Sequence, residues 1–192
     1  MPKAPPKPVL TCKSQKDWEK WLSKNYTDEV GVNLQLFKKD SGKQTLTYDE
    51  ALDSALCYGW IDGQKNTYDA ESWVQAFTPR RKRSPWSKRN IEHVKRLIKE
   101  GRMQPSGQLQ IDLAKKDGRW DRAYDAASAS VIPEDFLSAL NKNKKAKAFF
   151  ETLNKANRYA ITYRLQTAKK PETREKRMAL ILEMMKDGKK FH

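Results

Sequence analysis

The chain has 192 residues, with 39 Lys+Arg against 24 Asp+Glu, a formal net charge of +15 and a hydrophobic content of 38%. No apolar run approaches the roughly 18 residues that a membrane span needs, and the two His and two Cys are too scattered for zinc-type ligand spacing. Six Trp, seven Tyr and six Phe still supply bulky core material, which argues for one folded domain or two small ones rather than wholesale disorder.

The opening Met1-Pro2-Lys3-Ala4-Pro5-Pro6-Lys7-Pro8 carries charge and proline but no apolar stretch. Residues 1–13 therefore read as a disordered Pro/Lys arm rather than a secretory signal. Cys12 and Cys57 make no disulfide framework, so an intracellular chain with reduced thiols is expected. Trp18, Trp21 and Leu22 fall at i, i+3, i+4 and predict a helix over about 14–24. Val30, Val32, Leu34 and Leu36 alternate as a half-buried strand does. A turn at Lys39–Lys43 follows, and Thr47 with Glu50 forms a capping-box pair for a helix that Gly59 stops. Tyr58–Gly63 reads as a tight turn, alone or with a short strand, with Asp62 as a backbone cap, and Ser72–Thr78 as a second strand.

Beyond Pro85 the pattern is helical. A helix over about 86–100 buries Ile91, Val94, Leu97 and Ile98, and another near 106–117 stops at Gly118. Residues 119–132 look like an irregular connector. Helices then open at Pro133, continue through the face of Ala146, Phe149, Phe150 and Leu153, and end as a pair near 155–168 and 171–187. The predicted fold class is α+β and predominantly α-helical. An α+β domain over 14–118 carries a small sheet, and a helical segment over 133–188 packs on it.

The positive charge is concentrated. Residues 79–102 hold ten Lys/Arg against two Asp/Glu, and residues 141–192 hold fifteen against five. Such focused fields attract polyanions. In the first block, Arg80, Arg81, Lys82 and Arg83 lead into Ser84-Pro85-Trp86-Ser87, with Lys88 and Arg89 in the first turns of the helix. A serine cap, first-turn Pro85 and guanidinium forks would place donors around a phosphate, and Trp86 could stack on a base. The competing reading is a solvated loop whose arginines pair with the acidic body and whose Trp86 is a core anchor, and a third is a nuclear-import signal. In the second block, Lys169, Lys170 and Arg174 stand at a helix–helix junction, read either as a helix-turn-helix whose second helix enters a major groove or, more simply, as a packed hairpin whose basic outer face extends the first site. Tyr159 and Tyr163, one turn apart, are core residues in the simpler reading.

Three strings carry a resemblance: Glu50-Ala51-Leu52-Asp53 continuing to Leu56-Cys57-Tyr58-Gly59-Trp60-Ile61-Asp62-Gly63-Gln64-Lys65; Phe77-Thr78-Pro79-Arg80-Arg81 continuing to Trp86-Ser87-Lys88; and Asn157-Arg158-Tyr159-Ala160 continuing to Gln166-Thr167-Ala168-Lys169-Lys170-Pro171-Glu172-Thr173-Arg174. From about Trp18 to about Gly188 the chain resembles the bacterial YdeI/OmpD-associated (bacteriocin-protection, OmdA-like) family. The resemblance implies a small α+β protein with a helical C-terminal segment, and it carries over no catalytic residues.

These features together predict a protein without metal or cofactor that binds nucleic acid or another polyanion through backbone phosphates. Two alternatives stand beside it. One is a stress or bacteriocin-protection factor acting on a protein or an anionic membrane. The other is an enzyme on a phosphorylated or nucleic-acid substrate with a carboxylate such as Asp62 as base.

Overall fold

Serine at position 14 stops the preceding extended chain by accepting the Asp17 N–H, and the apolar stripe Trp18/Leu22 then buries one face of α1 (Gln15–Asn25). A computed structural model describes residues 6–126 and 129–191. The fold is α+β and predominantly helical, with a small sheet in the N-terminal half and a helical C-terminal segment. The chain forms two compact units: one comprises residues up to Ser84 with Asn90–Asp121, the other Pro85–Arg89 with the chain from Arg122 onward. Pro85–Arg89, expected inside the domain over 14–118, groups with the second unit. Its backbone is held by Tyr124, whose N–H donates to Trp86 O at 3.0 Å and whose carbonyl accepts Lys88 N–H at 2.9 Å.

The first unit is built on a four-stranded sheet of order β1-β2-β4-β3, formed by β1 (Val9–Thr11), β2 (Val32–Phe37), β3 (Trp60–Thr67) and β4 (Ser72–Pro79). β1 runs parallel to β2, and the other pairings are antiparallel. Val32, Leu34 and Leu36 alternate into the core as period two requires. Gln35, between them, is also buried, because it accepts from Thr11 Oγ1 at 2.7 Å and donates to Ser72 Oγ at 2.9 Å. The capping box forms as expected at the head of α2 (Tyr48–Cys57). Trp18, Trp60 and Phe77 meet at the centre, and the two buried indole N–H groups donate to Ala51 O at 3.0 Å and Tyr26 O at 2.9 Å.

Sequence and structure part at several points. The expected arm contains β1, which is too short to show periodicity and exists through its pairing with β2; Met1–Pro5 lie outside the described residues. At Tyr58–Gly63 the turn is Gly59 at φ +80°, and the strand that follows is not short: β3 runs for eight residues. Beyond Gly63 that strand is polar and exposed on both faces, so no apolar alternation announces it. Asp62 is therefore a strand residue, and it accepts the Tyr48 hydroxyl at 2.8 Å. In α3 (Lys88–Lys99), Ile91, Val94 and Leu97 are buried as predicted, whereas Ile98 is exposed. α4 (Pro105–Lys116) completes the unit.

The second unit is helical. α5 (Glu134–Asn141) and α6 (Lys144–Glu151) are separated at Lys142–Asn143, where Asn143 caps the new helix by accepting Ala146 N–H at 3.1 Å. α7 (Lys155–Gln166) and α8 (Pro171–Lys186) form the expected pair. The core joins Phe136, Leu140, Phe150, Leu153, Ile161, Leu165, Ile181 and Met185, with Phe136 edge-on to Phe150. Among the connector residues, Ala127 and Ser128 lie outside the described residues, as does the terminal His192.

Candidate functional site

The basic loop leaves β4 at Pro79 and divides sharply by burial. Arg80 is only 6% exposed, and its N–H donates to Gly59 O at 3.0 Å. The next three cations, Arg81, Lys82 and Arg83, are exposed on a tight turn. Arg81 N–H donates to Ser84 Oγ at 2.9 Å, and Ser84 N–H returns a bond to Arg81 O at 2.9 Å. The foot of this turn is pinned by Arg119, itself 6% exposed, which donates to Ser84 O at 3.0 Å and to the Asp117 carboxylate at 2.7 and 2.8 Å. No ion pair ties up Arg81, Lys82 or Arg83 among the described residues.

The second half of the loop differs from expectation. α3 begins at Lys88, so Pro85 stands outside the helix instead of in its first turn. Trp86 and Ser87 are buried, at 2% and 8% exposure, so Trp86 offers no face for stacking on a base. Lys88 pairs with Asp125 at 2.7 Å, and this hydrogen bond, with a further one from Gln166, holds the Asp125 carboxyl below its ordinary range. Arg89 is exposed.

At the second basic block, Lys169 and Lys170 are exposed immediately before α8. Arg174 is not available in the same way. Its guanidinium grips the Asp135 carboxylate of α5 with both terminal nitrogens, one of them at 2.9 Å. Arg177 likewise donates to Arg164 O at 2.7 Å and closes the α7–α8 hairpin. Tyr163 lies edge-on to Tyr124 at 4.8 Å, and Tyr159 donates its hydroxyl to Asp125 O at 3.2 Å. These interactions favour the core reading of the tyrosines over stacking platforms.

The sequence reading missed a polar cluster in the first unit. Asp53 lies on the buried face of α2, its carboxylate 2.6 and 2.7 Å from Arg96 Nη2 and 2.8 Å from His93 Nδ1. Burial opposes the charged form, but the bonds from Arg96 and His93 outweigh it and hold the carboxyl below its usual value. Arg102 adds longer approaches to Asp53, Glu100 and Glu19, and Glu19 also accepts Ser54 Oγ–H at 2.9 Å. The signal that could have found this cluster is an Asp amid Ala51, Leu52, Ala55 and Leu56, a buried position that demands charged partners. Cys57, one turn on, is unsuited to nucleophilic work: burial pushes its thiol up to about 11, against the opposing charge of Arg102. Among the described residues, no group of three or more His, Cys, Asp or Glu is arranged to hold a metal ion.

Comparison with known proteins yields family matches alone: no curated protein and no solved structure matches the chain. The model of a domain of unknown function, DUF8412, matches residues 10–110, which cover β1 to the first turns of α4. The model described as bacteriocin-protection, YdeI or OmpD-associated matches residues 129–188, which cover α5 to α8. The resemblance expected from about Trp18 is thus carried by the C-terminal helices. The chain belongs to the DUF8412 family, whose model spans just over half of it, and its C-terminal helical segment is similar to the YdeI/OmpD-associated family.

Proposed function

We propose that this protein binds polyanions, with nucleic-acid backbone phosphate as the leading ligand, through the turn Arg81-Lys82-Arg83. One observation carries the reading: three consecutive exposed cations, uncommitted to ion pairs among the described residues, sit on a turn whose foot is fastened by Arg119. A pre-held cationic tip loses little entropy on meeting phosphates and relieves its own repulsion by doing so. Lys169 and Lys170 are a second exposed pair of the same kind. Arg80, Trp86, Ser87, Lys88 and Arg174 serve the fold in this reading.

The test is fluorescence anisotropy of labelled duplex DNA and single-stranded RNA across a salt series. Binding falls steeply with salt, and Ala at Arg81, Lys82 and Arg83 lowers the salt slope by about three, roughly one for each phosphate that is no longer neutralised. Absence of binding at low salt, or a slope untouched by the triple substitution, defeats the proposal.

The family match over residues 129–188 favours a second reading, a bacteriocin-protection factor acting through a protein or an anionic membrane surface. No helix among the described residues is long and apolar enough to cross a membrane, so a membrane role of these helices would be peripheral. Flotation with anionic against neutral vesicles, beside the nucleic-acid titration, separates the two.

A further inference from the structure

The strand β1 ends the sheet, and its backbone shows which of its groups are unused. Asn33 N–H donates to Pro8 O at 2.9 Å, and Leu10 lies opposite Leu34 in a parallel ladder. In such a ladder alternate residues turn both N–H and C=O to the same neighbour. Residues 8 and 10 therefore face β2, and the N–H and C=O of Val9 and Thr11 face outward. No backbone bond occupies them among the described residues. An edge of this kind is a template for one further strand.

Beside that edge lies a cavity of about 330 Å³ between β1 and α1. Leu10, Thr11 and Cys12 form one wall, and Lys20, Trp21 and Lys24 the other. Trp21 is fixed in place, stacked on Trp18 at 5.3 Å and edge-on to Trp60 at 5.6 Å, so the apolar floor is preformed. Lys20 and Lys24 stand one helical turn apart, both exposed and outside any ion pair among the described residues. Asp17, the acid at the rim, accepts the Ser14 hydroxyl, and its own N–H donates to the Ser14 Oγ that N-caps α1. Lys16 and Lys20 continue the cationic wall into an adjoining open cavity, where Glu19 is already engaged by Ser54 and Arg102.

We propose that this groove docks an extended acidic segment of a partner protein, which adds a strand to the outer edge of β1. The chemistry sets the segment's pattern. Side chains two apart in a strand share a face, about 7 Å apart, and the Cβ atoms of Lys20 and Lys24 are about 5–6 Å apart. An apolar residue seated against Trp21 with Asp or Glu two positions away satisfies both walls. Because β1 is only three residues long, the pairing is limited to the outward groups of Val9 and Thr11, and the complex is transient. This surface is separate from the Arg81–Arg83 turn and does not depend on it.

The test uses the full ¹⁵N-labelled chain and a blocked peptide, Ser-Glu-Val-Leu-Val-Glu-Ser, followed by amide shifts. The expected result is downfield movement of the Val9 and Thr11 amides with Lys20, Trp21 and Lys24 shifted alongside. The K20A/K24A variant, on an exposed helical face that Ala suits, weakens binding about fivefold. N-methylation of the peptide at the residues that pair with β1 abolishes binding, and N-methylation at the alternate residues does not. Shifts confined to Arg81–Arg83 overturn the proposal and mark the peptide as a mere polyanion. It is also overturned by equal loss from both N-methylated peptides, by indifference to K20A/K24A, or by sedimentation showing the β1 edge already paired with a second copy.

Discussion

Replacing Gly107 by Ala tests the packing on which the first unit depends. Gly107 lies in the first turn of α4, with its Cα against the last carbonyl of α2. A Cβ there would meet the Cys57 carbonyl oxygen, with the carbonyl carbon at 2.7 Å and Met103 Sδ at 2.6 Å. Ordinary van der Waals separation begins near 3.4 Å, so the backbone of α2 would have to retreat by at least about 0.7 Å. The sulfur can swing aside, but the carbonyl cannot, because it also accepts Gln104 N–H at 3.2 Å. Intrinsic helix propensity favours Ala over Gly by about 0.5–1 kcal/mol, while overpacking against rigid structure costs about 1–3 kcal/mol. With backbone as the obstacle the upper end applies, and the net is a loss of about 2 kcal/mol. For a chain of this size that lowers Tm by roughly 4–8 °C. Urea unfolding with calorimetry measures both quantities. Gly101→Ala is the comparison: its site is open, with nothing within 4 Å, and only its φ of +69° is strained. A G107A protein as stable as the native one, or more so, would refute the close approach of α2 and α4.

Two further outcomes are expected. Asp53→Asn removes a charge-assisted acceptor from Arg96 and His93 and costs about 1–3 kcal/mol at neutral pH. Because the folded carboxyl lies below its unfolded value, that stability is complete above about pH 4 and is lost as pH falls through the folded value; equal acid sensitivity of D53N and native protein would contradict it. The Cys12 and Cys57 thiols, pushed by burial to about 11, react with a disulfide reagent at pH 8 at least about a hundredfold more slowly than in denaturant. Comparable rates in both conditions would show that either thiol is reachable.

Local chemistry made much of the fold legible. The Thr47–Glu50 capping box, the stripe Trp18/Leu22, the alternation of Val32, Leu34 and Leu36 and the stop at Gly59 each depend on partners within a few residues. Two elements were not legible for the same reason. β1 and the far half of β3 are edge segments, held by pairing across the sheet and not by an apolar pattern of their own.

The candidate site divides along the same line. By itself the sequence determined where positive charge accumulates, in residues 79–102 and 141–192. Only the tertiary structure decided which of those cations are spent. It buried Arg80, gave Lys88 to Asp125 and Arg174 to Asp135, and left Arg81, Lys82 and Arg83 in solvent. The physical reason is range. A helix cap or an apolar stripe is decided within one or two turns, whereas a charged side chain is committed or free according to partners as much as 83 residues away.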